Sequence, residues 1–304
     1  MSRRIVQIAA AFCAAVLAAV APAYAKQPNV VVIFADDVGV ETINSYGGEY
    51  YTPRLDRMAQ QGVRATNAYA MPLCTPSRLR LMTGRYNFRN YRAMMYMDKD
   101  EPTIGHLMKD AGYKTMVAGK WQLHDNPMEN LVGATPADSG FDENFIWQLE
   151  RNDRGSRYWG PTLWKNGKRM IVEDMVFGSD LINDAVLEFM EQTHEPFFVY
   201  YTMNLAHVPY VLTPDSMAAE TDKEKFAGMI TYMDKLVGEV LDKVDELDSD
   251  RSTLVIFTAD NGTHQTMTSL RNGVEVRGGK GITTLAGTHV PFIAKWDGVL
   301  SAGT

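Results

Sequence analysis

Short, continuous apolar runs alternate along this chain with segments of helical period. Asn29–Ala35 (NVVVIFA), Lys114–Ala118, Phe197–Thr202 (FFVYYT) and Thr253–Thr258 (TLVIFT) are β-rich and little interrupted by polar residues. Such runs suit parallel strands covered on both faces, because neither face then has to meet water. Between the last two, Phe226, Ile230, Met233, Val237, Val240, Val244 and Leu247 recur at three- and four-residue steps, which places them on one side of a helix. Strand, helix and strand in that order predict a βαβ unit. The predicted fold class is α/β: one domain with a mainly parallel sheet sandwiched by helices, its polar chemistry gathered at the carboxyl ends of the strands.

The beginning of the chain follows another pattern. Arg3 and Arg4 precede an apolar run from Ile5 to Val20, and Ala23-Tyr24-Ala25 is a small-x-small cleavage sequence. Residues 1–25 therefore read as a secretory signal peptide, with the mature domain over residues 26–304. The apolar run is shorter than the ~20 residues needed to cross a bilayer, so no membrane anchor is expected after cleavage. A periplasmic or secreted location follows. Cys13 lies in this segment without the leucine expected three positions before a lipoprotein cysteine. Only Cys74 of the two cysteines then remains, and no intrachain disulfide can form. A lone exported thiol is an oxidation liability unless it is chemically converted.

Composition narrows the partners. With 45% hydrophobic and 22% charged residues, the chain can bury a sizeable core. The net charge of −7 falls to −9 once Arg3 and Arg4 leave, which argues against a nucleic-acid partner. An anionic substrate would have to be met by a local cationic pocket. No repeat, low-complexity tract or Pro/Gly/Ser-rich linker divides the chain.

Candidate chemistry sits at the predicted strand ends. Asp36-Asp37 directly follows the first strand, and Asp260-Asn261-Gly262 follows the Thr253–Thr258 strand, ends that a parallel sheet can bring side by side. Three carboxylates and an amide oxygen suit a divalent cation, Ca²⁺ first and Mg²⁺ second. Either pair in isolation reads equally as a cap or a turn. The segment Cys74-Thr75-Pro76-Ser77-Arg78, followed by Thr83-Gly84-Arg85, tips that balance toward a site. Pro76 suits a first helical turn and Leu79–Met82 are good helix formers, so Cys74 is expected at a helix N-terminus, where backbone N–H groups favour an anion.

This segment resembles the signature of the type I, formylglycine-dependent sulfatases of the alkaline phosphatase superfamily, and the resemblance runs from about Asn29 to Gly298. In that family the cysteine of Cys-x-Pro-Ser-Arg is oxidised by a formylglycine-generating maturation enzyme, and the hydrated formylglycine is both nucleophile and metal ligand. The resemblance implies a metal set of Asp36, Asp37, position 74, Asp260 and Asn261, with Arg78 supporting the modified residue. Gly119-Lys120-Trp121-Gln122-Leu123-His124 resembles the family stretch Gly-Lys-Trp-His-x-Gly, which makes Lys120 a sulfate-binding cation. Gln122 stands where a histidine is common; it can hydrogen-bond a hydroxyl or a sulfate oxygen but cannot carry a proton at neutral pH. His124, two residues on, is expected to point elsewhere. His207, in His207-Val208-Pro209, matches the family His-x-Pro and is expected to protonate a leaving alcohol. Lys280, in Arg277-Gly278-Gly279-Lys280-Gly281, corresponds to the second family lysine, although Leu285-Ala286 stand where a glutamate is often found.

The implied catalytic residues are thus Cys74, Arg78, Lys120, His207 and Lys280, with Lys120, Gln122, His207 and Lys280 facing substrate. The implied reaction is hydrolysis of a sulfated carbohydrate or an aryl sulfate, in which the modified residue attacks sulfur and its sulfated adduct collapses to release sulfate. A phosphonate monoester or phosphodiester hydrolase of the same superfamily, and a non-catalytic glycan-binding relative with an unmodified Cys74, are the alternatives. Family members usually continue into a C-terminal subdomain, so residues 26–304 read as a sulfatase N-terminal catalytic domain truncated at its C-terminus. His106 and His194 read as structural, with His264 a weaker candidate for the pocket. Tyr158–Lys168 reads as a hairpin around Asn166-Gly167 whose tryptophans pack rather than bind a glycan.

Overall fold

A computed structural model describes residues 26–152, 155–247 and 251–304; the signal-peptide reading of residues 1–25 lies outside them. In chain order the first half comprises β1 (Asn29–Ala35), α1 (Pro53–Gln61), β2 (Val63–Arg64), α2 (Cys74–Thr83), α3 (Ile104–Asp110), β3 (Lys114–Lys120), the short β4 (Asp125–Asn126) and β5 (Leu131–Val132), and β6 (Glu143–Trp147). The second half comprises β7 (Thr162–Lys165), β8 (Lys168–Ile171), α4 (Gly178–Gln192), β9 (Phe197–Thr202), α5 (Asp222–Leu247), β10 (Thr253–Ala259), β11 (Thr268–Arg271), β12 (Val274–Arg277), α6 (Leu285–Thr288) and β13 (Phe292–Lys295).

Nine strands form one sheet in the order β2-β13-β10-β1-β9-β3-β6-β7-β8. The five central strands, from β10 to β6, run parallel. Both margins are antiparallel: β13 and β2 on one side, β7 and β8 on the other. β1 shows why its sequence is apolar throughout. Val31, Ile33 and Ala35 enter one core, with Leu55 of α1, Val186 of α4 and Met233 of α5. Val32 and Phe34, on the alternate face, enter a second core with Leu79 and Met82 of α2. Full burial of each such large side chain contributes roughly 1.5–3 kcal/mol, and β1 collects it on both faces.

The predicted strand, helix and strand are β9, α5 and β10, and β1 lies between the two strands. β3 runs two residues beyond its apolar core and carries Lys120 at its last position, buried like the residues before it. The marginal strands carry weaker signals: β8 is exposed along its whole length, and β13 has four residues. The Asn166-Gly167 turn joins β7 to β8 with both residues at positive φ, 49° and 76°, as a type I′ hairpin turn requires. Among the described residues no helix is long and apolar enough to cross a membrane.

Candidate active site

Sheet register assembles the acidic half of the site. Ala35 pairs with Ala259, so Asp36 and Asp260 leave neighbouring parallel strands at the same level. The Asp260 amide donates to Ala35 O at 3.1 Å, and the Asp37 amide donates to Asp260 Oδ1 at 3.1 Å. Successive residues of a strand point to opposite faces, yet Asp36 and Asp37 both turn inward because Asp37 takes a left-handed conformation, φ 62°. That conformation costs on the order of 1–3 kcal/mol for a residue other than glycine and persists where its surroundings enforce it. Asn261 donates Nδ2 to Asp37 Oδ1 at 2.8 Å, while its own Oδ1 is buried without a hydrogen-bond partner.

The basic half comes from elsewhere in the fold. Lys120 stands two strands from β1, about 10 Å away at ordinary strand spacing. Its side chain crosses the end of β9 and donates to Asp36 Oδ1 at 2.9 Å and Oδ2 at 2.7 Å. Gly119 permits this close approach: at φ 100°, an added Cβ would lie 1.8 Å from the carbonyl oxygen of Thr202. Arg78, one helical turn beyond Cys74, donates to Lys120 O at 2.9 Å and to Asp260 Oδ2 at 3.0 Å. Lys280 Nζ lies 2.6 and 2.8 Å from the two oxygens of Asp37. A fourth cation, Arg157, was not singled out by sequence. It donates to Asp36 Oδ2 at 3.0 Å and its guanidinium lies 4.3 Å from the Trp147 ring centroid. Three carboxylates against Arg78, Lys120, Arg157 and Lys280 leave one positive charge in excess, so the side chains alone favour an anion.

Electrostatics differ sharply among these groups. Burial raises Asp36, but Lys120, His207, Arg157 and Arg78 together outweigh it and hold the carboxyl well below its usual range. Burial and then the adjacent Asp36 charge push Asp260 the other way, up. Cys74, the first residue of α2, is 3% exposed. Burial pushes its thiol up to about 12, so an unmodified Cys74 stays protonated and is a poor nucleophile. His207 follows β9, with Nδ1 against Val208 O and Nε2 3.7 Å from Asp37 Oδ2. A carbonyl only accepts, so Nδ1 carries the proton and Nε2 presents its lone pair. Burial pushes this imidazole down to about 3, against the opposing pull of Asp36 and Asp37.

The site fits a hard divalent cation. Donor atoms of Asp36, Asp37, Cys74 and His207 lie within 4.8 Å of one another, and the orphaned Asn261 Oδ1 is a further oxygen awaiting a partner. An oxygen in place of the Cys74 sulfur would bring the set closer to the all-oxygen shell that Ca²⁺ and Mg²⁺ prefer.

Gln122 follows Lys120 by two residues. It is left-handed, φ 58°, and its buried Oε1 has no partner; Gln148, φ 61°, repeats both features. The two are adjacent, with the Gln122 amide donating to Gln148 O at 3.3 Å. Gln148 Nε2 meets Met95 Sδ at 3.5 Å, and the Met95 amide donates to Thr75 Oγ1 at 3.1 Å, beside Cys74. His124 turns away to Gly133 O at 2.8 Å, as expected. His264 pairs with Thr266, and His106 closes a capping box at the start of α3. Trp159 Nε1 donates to Leu212 O, and Trp164 packs beside the second core, so both tryptophans serve packing.

Comparison with known proteins agrees with this geometry. The sulfatase family model matches residues 28–303, and the chain belongs to the sulfatase family. It is 32% identical to human arylsulfatase A, over 92% of this chain and 61% of the relative. It is 27% identical to N-acetylgalactosamine-6-O-sulfatase of Bacteroides thetaiotaomicron, over 89% of this chain and 68% of that protein. Among solved structures it superposes on Ps i-CgsB in complex with k-i-k-neocarrahexaose with a TM-score of 0.77 and 25% identity, covering 91% of this chain and 68% of the other. The chain spans about three-fifths of the length of several of the curated relatives it matches.

Proposed function

We propose that this chain hydrolyses sulfate esters, of a carbohydrate or an aryl alcohol, with a formylglycine made from Cys74 and a divalent cation, calcium ahead of magnesium. The observation that carries the reading is the convergence of Asp36, Asp37, Cys74 and His207 within 4.8 Å, with Lys120 and Lys280 anchored on the two aspartates. The names of the relatives and the carbohydrate in the Ps i-CgsB complex support sulfated sugars as the substrate class.

A cation held by Asp36, Asp37, Asp260, Asn261 and position 74 would supply Lewis acidity toward a sulfate oxygen. Converted to formylglycine, position 74 would offer a hydroxyl nucleophile in its hydrated form. Lys120, from β3, and Lys280, from the loop after β12, place two fixed charges around the sulfate in a site largely closed to water, where Coulombic stabilisation is strongest. Arg78 is tied at both ends of its guanidinium and holds the start of α2 against Asp260. His207 Nε2 would take the proton that the attacking hydroxyl at position 74 gives up as its bond to sulfur forms, and deliver it to the alcohol oxygen as that oxygen's bond to sulfur breaks. Gln122 and Gln148 offer amide oxygens to hydroxyl groups of the alcohol. The amino-terminal pattern supports residues 1–25 as a cleaved signal peptide, residues 26–304 as the catalytic domain, a periplasmic or secreted location and maturation by a formylglycine-generating enzyme.

Mass spectrometry of the tryptic peptide Ala65–Arg78, from protein co-expressed with such a maturation enzyme, tests the reading together with sulfate release. The expected result is an aldehyde at position 74 and faster hydrolysis of sulfate esters than of matched phosphonate and phosphate esters. An unmodified thiol with no turnover, or a preference for phosphonates, would overturn it.

A further inference from the structure

The segment between α2 and α3 carries charge and aromatic surface that the chemistry above does not use. Directly after α2 the sequence reads Arg85-Tyr86-Asn87-Phe88-Arg89-Asn90-Tyr91-Arg92. Apolar rings in a soluble domain are usually covered, yet Phe88 is 82% exposed and Tyr86 60% exposed. Their outward arrangement is organised. The Tyr86 and Phe88 rings stack with centroids 5.8 Å apart, and Arg80 lies 4.8 Å over Tyr86. Arg89 lies 5.6 Å from Phe88, and Arg92 5.7 Å from Tyr96. Asn87 and Asn90 fasten the backbone to α2 through Pro76 O and Thr83 Oγ1.

Arg85, Phe88, Arg89, Tyr91, Arg92 and Tyr96 line a cleft of about 590 Å³, within the size range of small-molecule sites, and Tyr86 stacks on Phe88 outside it. Its charges are unequally satisfied. Glu101 is paired with Arg85, and Asp98 accepts from the Tyr96 hydroxyl. Among the described residues, Arg89 and Arg92 have aromatic faces as neighbours and form no ion pair with a carboxylate. The same segment then runs to Met95, whose amide is fixed to Thr75 beside Cys74. The segment thus leads from the cleft to a residue tied beside Cys74.

We propose that this cleft binds a further sulfated sugar unit of an oligosaccharide or polysaccharide substrate. The proposal rests on the hydrolase reading above. Arg89 and Arg92 present planar forks that match sulfate oxygens, and the exposed rings offer flat apolar surface to the C–H face of a sugar. Asp98 and Asp100 oppose a dense polyanion such as nucleic acid or polyphosphate, but their oxygens accept hydrogen bonds from sugar hydroxyls. A sulfated carbohydrate supplies both kinds of partner in one molecule.

The test compares the full chain with Arg89→Ala/Arg92→Ala and Phe88→Ala variants, each checked for an unchanged unfolding temperature. Binding of a carrageenan hexasaccharide, its desulfated form and inorganic polyphosphate is measured by calorimetry. In parallel, rates are measured on nitrophenyl sulfate and on the sulfated polysaccharide. The double variant is expected to bind the sulfated hexasaccharide at least tenfold more weakly and to raise KM for the polysaccharide, with kcat and nitrophenyl sulfate hydrolysis unchanged. Unchanged hexasaccharide binding in the double variant, no binding by the native protein, or equal displacement by polyphosphate would overturn the proposal. Because binding is read without turnover, loss of hexasaccharide binding in a chain that hydrolyses neither ester would uphold the cleft and sink the hydrolase reading.

Discussion

Tyr158 holds the loop that carries His207: its hydroxyl donates to the carbonyl oxygens of both Asn204 and His207, the former at 2.9 Å. The phenol is buried and its ring stacks on Phe177 at 6.0 Å, so the contact is a rigid strut between the segment before β7 and the loop after β9. Tyr158→Phe keeps the packing and removes only the donor. It is expected to cost about 1–3 kcal/mol of stability, since the His207 carbonyl loses its donor while Asn204 O keeps the His207 amide. The kcat for sulfate release should fall roughly tenfold with little change in KM, because the imidazole is misplaced rather than lost. Steady-state kinetics beside thermal unfolding check this, and an unchanged kcat would show that His207 is held by other means.

Metal dependence should appear in stability as well as activity. Ligand binding to the folded state alone adds about 2.7 kcal/mol at a hundredfold excess over Kd, which corresponds to roughly 5–10 °C for a domain of this size. Chelator treatment is expected to lower the unfolding temperature by that amount, and calcium to restore it. Asn261→Ala removes the orphaned Oδ1 together with the Nδ2 bonds to Asp37 and Gly262 O, so it should lower the unfolding temperature of the chelated protein as well, and the ligand role is read from a smaller rise on adding calcium. Equal calcium responses in the two proteins would remove Asn261 from the ligand set.

Gln122 supplies a test of proton handling. Histidine tolerates the left-handed backbone better than most residues, so Gln122→His is a mild change structurally. It is expected to raise turnover of an aryl sulfate roughly tenfold and to add an ionisation near pH 6–7 to the rate profile. A superimposable profile would mean that this position only binds the alcohol.

Far from this site, Asp234 of α5 caps α1, accepting from the Arg54 amide at 3.0 Å and the Leu55 amide at 2.8 Å. Burial pushes its carboxyl up to about 6, beyond what the two amides recover. A carboxyl raised on folding stabilises the protein fully below its unfolded value, and that contribution is lost as pH rises through about 6. This group alone therefore makes the chain more stable at pH 4.5 than at pH 7, by roughly 2 kcal/mol. The difference in unfolding free energy between native protein and Asp234→Asn should change across that window. Parallel pH profiles would refute the assignment.

Legibility in the sequence followed the strength of local constraint. β1, β9, β10 and α5 are buried along their inner faces, and their patterns are correspondingly plain. Asp36 and Asp260 could be paired from sequence because adjacent parallel strands end together. Arg157 and Gln148 could not, because neither belongs to a patterned element and each reaches the site through tertiary placement alone. β8 was hidden for the opposite reason: every residue is exposed, so no apolar face marks it except the Asn-Gly turn that precedes it.

Cys74 is covered by the fold to 97% of its surface, its exposure being 3%, and it sits where α2 meets the ends of β1 and β10. On the proposed reading, a maturation enzyme that grips the residues around this thiol would have no route to it once those elements have closed. Conversion of Cys74 would then have to precede folding. The two would compete in time, and treatment of the already folded protein with such an enzyme is expected to leave the converted fraction unchanged, which mass spectrometry of the peptide Ala65–Arg78 checks.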